Sequence, residues 1–232
     1  DPTILGSIRS CLRAPIGRGF NRLLGGGLRH GTGNECEDRF LRFYQKGGDG
    51  EVDTNPLAML TKTEVFQLSW YLGQEMEIAH AMDPILRATP SPDLWGTGDG
   101  HSDEAELLSW TGAPFTYGRI NVETGNVTQY GTIEIISRLL DTQYPNTEGN
   151  PHFFEEWLFQ KEEPDRDNLL RFAEDNVGVA GFDPVLLQTL LKAARWAERV
   201  TRHKENPNIP TLGDRGDLVE QGILDDNVSL EG

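Results

Sequence analysis

The residues of this 232-residue chain best suited to chemistry are its histidines and the carboxylates near them. Glu77 with His80, His101 with Glu104, and His152 with Glu155 share a three-residue spacing. On a helix that spacing puts both side chains on one face. Carboxylate-bridged di-metal bundles take Glu-x-x-His from each of two helices and a further Glu from each of two others. Only Glu77-Ile78-Ala79-His80 has that order. A transition-metal site would therefore draw on Glu77 and His80, joined by Glu104 and Glu106 from the next segment. The competing reading is that these are surface pairs on acidic helices. The candidate catalytic group is the loop around Asp99, His101 and Asp103, where a His beside acids can serve as a general base.

Two loops are rich in oxygen ligands for hard cations. Asp49, Glu51, Asp53 and Asn55 alternate as calcium-loop ligands do, and Asp99-Gly100 precedes Asp103 and Glu106 with the Gly-to-acid offset of an EF-hand. The first loop lacks the closing acid, since Pro56 or Leu60 would occupy it, and the second lacks acids at its opening positions. Asp and Gly also make turns for their own sake. Calcium or a transition metal is thus the cofactor these patterns admit, and neither is fixed by them. Nucleophilic catalysis finds no G-x-S-x-G, no H-E-x-x-H and no Cys in a recognisable Cys–His context. The glycine-rich run near the start lacks the P-loop and dinucleotide fingerprints. The cluster Phe153, Phe154, Trp157 and Phe159 reads as core.

The elements that must position these residues are mainly helical. Ile4, Leu5, Ile8 and Leu12 share a helical face that Pro15 and Gly17 should end, and seven glycines from Gly17 to Gly33 predict a loop. A short helix follows over 34–45. Thr61 and Glu64 form a capping box that opens a helix carrying Val65, Leu68, Leu72, Met76, Ala79 and Met82, expected to run unbroken to Pro84. A long loop over 88–100 precedes a short helix from Asp103 to Trp110. Alternation around Tyr117 to Val122, with a turn at Glu123-Thr124-Gly125-Asn126, predicts one hairpin. Three more helices follow: one marked by Ile133, Ile136, Leu139 and Leu140, one started by Asn150-Pro151, and one started by Asp183-Pro184 and running to Lys204. The expected architecture is mainly α: a single irregular multi-helix domain with one small β-hairpin and long loops. Residues 1–33 form a basic Arg/Gly-rich arm, 34–205 the helical core and 206–232 an acidic extended tail.

Composition bounds the partners. Twenty-one basic against 37 acidic residues give a net charge of −16, which repels nucleic acid phosphates. No apolar stretch approaches the roughly 20 residues a membrane-spanning helix needs, which leaves peripheral membrane contact open. The charge is uneven: Arg9, Arg13, Arg18, Arg22 and Arg29 face only Asp1 in the first thirty residues. Such an arm either lies on its own acidic body or docks on a neighbouring subunit. The start at Asp1, one Cys11–Cys36 disulfide, and glycosylation patterns at Asn126 and Asn227 together predict a processed protein of a secreted or organellar-lumen compartment.

Two functional readings follow. In the first, the chain is a non-catalytic, structural or interaction subunit that docks on other protein subunits through its arm and tail. In the second, it is an extracytoplasmic enzyme, hydrolase or oxidoreductase, with a His/carboxylate site that is metal-dependent or not. The balance tips to the subunit.

Overall fold

The computed structural model describes residues 2–91, 102–146, 183–204 and 215–223. These residues are mainly helical, with one two-stranded antiparallel sheet, as the apolar periodicity predicts. The predicted helix after Asn150-Pro151 and the aromatics at 153–159 lie outside the described residues.

Helix α1 (Pro2–Leu23) differs from the expected short helix: it continues through Pro15, Gly17 and Gly19. Tertiary contacts on its polar side outweigh the low helix propensity of those residues. Ser10 Oγ and an Arg13 guanidinium nitrogen each donate to Asp49 Oδ1 at 2.9 Å, and Arg18 pairs with Glu51. The helix ends only at Gly25, Gly26 and Gly27, whose φ angles of 87°, 113° and 158° suit glycine. Beyond them, the Arg29 carbonyl accepts from Asp53 N at 2.9 Å, and Arg29 N donates to Asp53 Oδ2 at 2.8 Å. The alternating acids read as a calcium loop are therefore the dock on which the basic arm lies.

A π-helical turn (Glu35–Phe40) follows, with Asn34 as its cap accepting from Glu37 N. The capping box at Thr61 and Glu64 is present and opens α2 (Lys62–Glu75). The predicted unbroken helix is corrected here, because α2 stops and α3 (Ala79–Arg87) folds back along it, carrying Pro84 inside it. Ile78 N bonds Gly73 O at 2.9 Å and Glu77 N bonds Gln74 O at 3.1 Å, with Glu77 at φ 59°. This is a Schellman ending with a glutamate in the left-handed position usually held by Gly. Gly73 permits the close return, since a Cβ there would sit 2.9 Å from Met82 Cγ.

Helix α4 (Asp103–Thr111) is capped by Ser102, whose Oγ accepts from Ala105 N. It ends at Gly112, φ 73°. Strands β1 (Arg119–Ile120) and β2 (Val127–Gln129) pair as the predicted hairpin. Gly125 in its turn lies against the Trp70 ring of α2, and Trp70 Nε1 donates to Val122 O at 2.8 Å.

The core is built by α5 (Thr132–Asn146) and α6 (Pro184–Thr201). Ile133, Ile136, Leu139, Leu187, Leu190, Leu191 and Ala194 are buried there, joined by Leu107, Phe115 and Tyr117. Asp183 caps α6 as predicted, its Oδ1 accepting from Val185 N and Leu186 N. Val200 is 40% exposed because it falls off the stripe that Ala197 continues. A single 3-10 turn, Arg202–Lys204, ends this segment, with Lys204 Nζ donating to Tyr44 O at 2.6 Å and Arg42 O at 3.0 Å. In the C-terminal segment, α7 (Arg215–Glu220) buries Leu218 against Ala58 and Met59.

Candidate functional site

Where the π-helical turn meets the N-termini of α2 and α4, charged side chains from three separate segments converge. Lys62 Nζ donates to Glu37 Oε1 at 2.9 Å, with about a fifth of each side chain exposed. The same ammonium lies 5.4 Å from the centre of the Tyr117 ring, close enough for a cation–π contact. Asp103 shares this field. Burial raises its carboxyl from 3.8 to about 6; Glu37, Glu106 and Glu104 add to the rise and Lys62 opposes it. Asp38, next in chain to Glu37, is pushed from 3.8 to about 7, first by burial and then by Glu37 and Asp49, against a 2.7 Å hydrogen bond from Asn55 Nδ2. The Tyr117 phenol is held well above its ordinary range by burial and by the Glu37 and Asp103 carboxylates.

Glu104 closes one side of this cluster. Its Oε1 accepts from Tyr117 N and from an Arg119 guanidinium nitrogen, both at 2.9 Å. The result is a cluster with one ammonium among carboxylates, of which Asp103 changes protonation near pH 6, while the Asp38 carboxyl turns to Asn55 instead. Such groups can hold a cationic or amine reactant and take a proton from it.

The candidate residues fare unequally. Asp103 joins the cluster, Glu104 closes its side and Glu106 acts on Asp103 through its charge. Asp99 and His101 lie outside the described residues. Glu77 and His80 are exposed at the α2–α3 turn, where the left-handed Glu77 stands outside both helices, so the one-face argument for a metal pair does not apply. His80 lines a separate hollow of about 250 Å³ with Trp70, Gln74, Met82 and Asp83. Among the described residues no group of three or more His, Cys, Asp or Glu side chains could hold a metal ion.

The disulfide is corrected. Both thiols are free: Cys36 is wholly buried beside Glu134 and Glu35, which with burial raise its pKa well above the ordinary value, while Cys11 lies on α1 near Lys46 O. Asn126 is an exposed hairpin-turn residue, and Asn227 lies outside the described residues.

Sequence reasoning missed Glu37, Asp38, Lys62 and Tyr117. A signal was there: Asn34 precedes the acid-rich run Glu35, Glu37 and Asp38, and Lys62 sits inside the capping box that was recognised.

Comparison with known proteins places Glu37, Lys62, Asp103 and Glu104 in a shared segment that stops short of Tyr117 and Arg119. Residues 6–112 match the NAD synthase family model. The NH(3)-dependent NAD(+) synthetase of Methanosarcina acetivorans is 44% identical over 77 residues, which are 33% of this chain and 26% of that protein. That of Archaeoglobus fulgidus is 38% identical over 100 residues, 43% of this chain and 34% of the relative. That of Sulfurisphaera tokodaii is 34% identical over 107 residues, 46% of this chain and 34% of the relative. The chain thus spans between 26% and 34% of the length of these relatives.

This similarity to synthetases overturns the reading of the chain as a non-catalytic subunit. It overturns equally the processed glycoprotein and the secreted or organellar-lumen location. The physical supports for those readings were weak: the two thiols are not bonded, and Asn-x-Ser/Thr arises often by chance. No described helix is long and apolar enough to cross a membrane.

Proposed function

We propose that the chain serves an ammonia-dependent NAD(+) synthetase activity, with the cluster of Glu37, Lys62, Asp103 and Tyr117 as its polar site. The observation that carries this is that the match over 6–112 contains Glu37, Lys62 and Asp103 together. Making an amide from ammonia asks for two things. A carboxylate must be held and activated, and the nitrogen must lose protons as it bonds. Lys62 supplies the ammonium of this cluster, suited to an anionic group of the dinucleotide. Asp103, raised to about 6, can accept a proton near neutral pH. The partners in this reading are the dinucleotide, ammonia and other protein subunits. Support for a protein partner is the exposed apolar face of α1, on which Ile4, Ile8, Leu12, Ile16 and Phe20 are each at least half exposed.

The test follows NAD+ formation from its deamidated dinucleotide, ammonium and MgATP, with dinucleotide binding to the purified chain measured by calorimetry. Lys62→Gln is expected to lower both by about tenfold or more, the worth of a charge-assisted contact. Dinucleotide binding unaffected by Lys62→Gln would overturn the assignment of the site.

A further inference from the structure

Helix α5 lies outside the matched segment, yet it carries two fully buried charged residues one turn apart, Glu134 and Arg138. Each reaches across the molecule to a different side of the Glu37–Lys62 pair. Glu134 Oε1 accepts from Thr63 N at 2.8 Å, and its Oε2 accepts from Thr63 Oγ1 at 2.8 Å and Gly131 N at 2.9 Å. Thr63 N is one of the first-turn donors of α2 that no helical carbonyl can satisfy, so Glu134 closes that helix end from outside. Thr63 directly follows Lys62.

Arg138 makes the second arm. Its guanidinium grips Glu35 in a fork, at 2.7 Å to Oε2 and 3.2 Å to Oε1, with both side chains at most 5% exposed. Glu35 opens the π-helical turn and stands two residues before Glu37, and its backbone N donates to Leu60 O at 2.8 Å. One face of α5 therefore fixes the segment that carries the acid and the segment that carries the amine. A buried carboxylate and a buried guanidinium are costly to bring out of water and are held only where geometry and hydrogen bonds are good. Here they fall beside the two partners of a half-buried pair, Glu37 and Lys62, which come from separate segments.

We propose that Glu134 and Arg138 are positioning residues that set the spacing between Glu37 and Lys62, so that α5 governs a site to which it contributes no reacting group. The proposal takes its functional meaning from the site assignment above, but the clamp can be tested without any turnover. The experiment is an amine-acylation footprint of the full chain with an N-hydroxysuccinimide ester, read by mass spectrometry, with Lys46 and Lys192 as internal references. Glu134→Gln and Arg138→Lys keep shape and most of the packing. Each is expected to raise the acylation rate of Lys62 relative to the references by about threefold or more, the size of coupling found between groups in one network.

Thr63→Val supplies a second test if Glu134→Gln does not fold, since it removes the hydroxyl bond to Glu134 and leaves the Thr63 N bond and every charge in place. Unchanged Lys62 reactivity in a folded clamp variant would overturn the proposal. Where the protein turns over, Glu134→Gln should lower kcat, and this effect should vanish in a Glu37→Gln background while the loss of thermal stability persists in both. Equal kcat losses in both backgrounds would show Glu134 to be merely structural. Absence of NAD+ formation in the unsubstituted protein would count against the functional reading alone, with the footprint still deciding the clamp.

Discussion

Helices α1 and α5 are both rich in Ile and Leu, and the protein treats them in opposite ways. On α1 the apolar side chains Ile4, Ile8, Leu12, Ile16 and Phe20 are 50–61% exposed, and a hollow of about 410 Å³ lies along Ile4, Ser7, Ile8, Cys11 and Leu12. On α5, Ile133, Ile135, Ile136, Leu139 and Leu140 are at most 2% exposed. The charged contacts are also reversed. α1 is held through Arg13–Asp49 and Arg18–Glu51, whose side chains are 39–62% exposed, whereas α5 is held through the buried Arg138–Glu35 fork. Apolar content alone therefore does not say which helix is core. What decides it is whether a second apolar face meets the first, as α6 meets α5.

The contrast can be broken at its strongest point by Arg138→Met. This removes the guanidinium fork from buried Glu35 and is expected to cost about 3–5 kcal/mol in urea unfolding. A loss below about 1 kcal/mol would mean that Glu35 finds water or another donor.

Protonation gives the next largest effect. The folded chain holds protons on Asp38 up to about pH 7 and on Asp103 up to about pH 6, while the ordinary value for both is 3.8. Between these values the native state binds more protons than the unfolded chain, so these two groups make stability fall as pH rises from about 4 to about 7. Asp38→Asn should flatten that slope and stabilise the protein at alkaline pH, by on the order of 2 kcal/mol after allowance for partial exposure. Denaturation curves at several pH values measure it, and an unaltered slope would place the Asp38 charge in water.

Smaller effects sharpen the α1 side. Asp49→Asn removes the charge on the acceptor shared by Ser10 and Arg13, and should cost about 1 kcal/mol or less, with the difference shrinking at about 1 M salt. Ile8→Asp should change stability least of all, within about 0.5 kcal/mol, as exposed substitutions do. A loss above about 1 kcal/mol would reveal that the α1 face is covered in the folded chain.

Much of the helical order was legible in the sequence because caps and stripes are local. Thr61 with Glu64, Asp183 with Pro184 and the apolar periodicity of α5 and α6 each encode their structure within a turn or two. The turn at Glu77 was not legible, since a glutamate gives no warning of a left-handed backbone. Nor was the continuation of α1 through Pro15, which depends on acids some 36 residues away. The candidate site was legible only at Asp103 and its neighbouring acids.

By itself, then, the sequence determined a mainly helical chain, where most of its helices begin, and a hairpin at 119–129. Tertiary structure alone decided which carboxylates matter. Lys62 meets Glu37 across 25 positions, Thr63 meets Glu134 across 71 and Arg138 meets Glu35 across 103. The physical reason is that a charge has no periodicity to announce it. Its partner is fixed by desolvation, which arises only once the apolar faces of α5 and α6 have closed and carried those residues out of water.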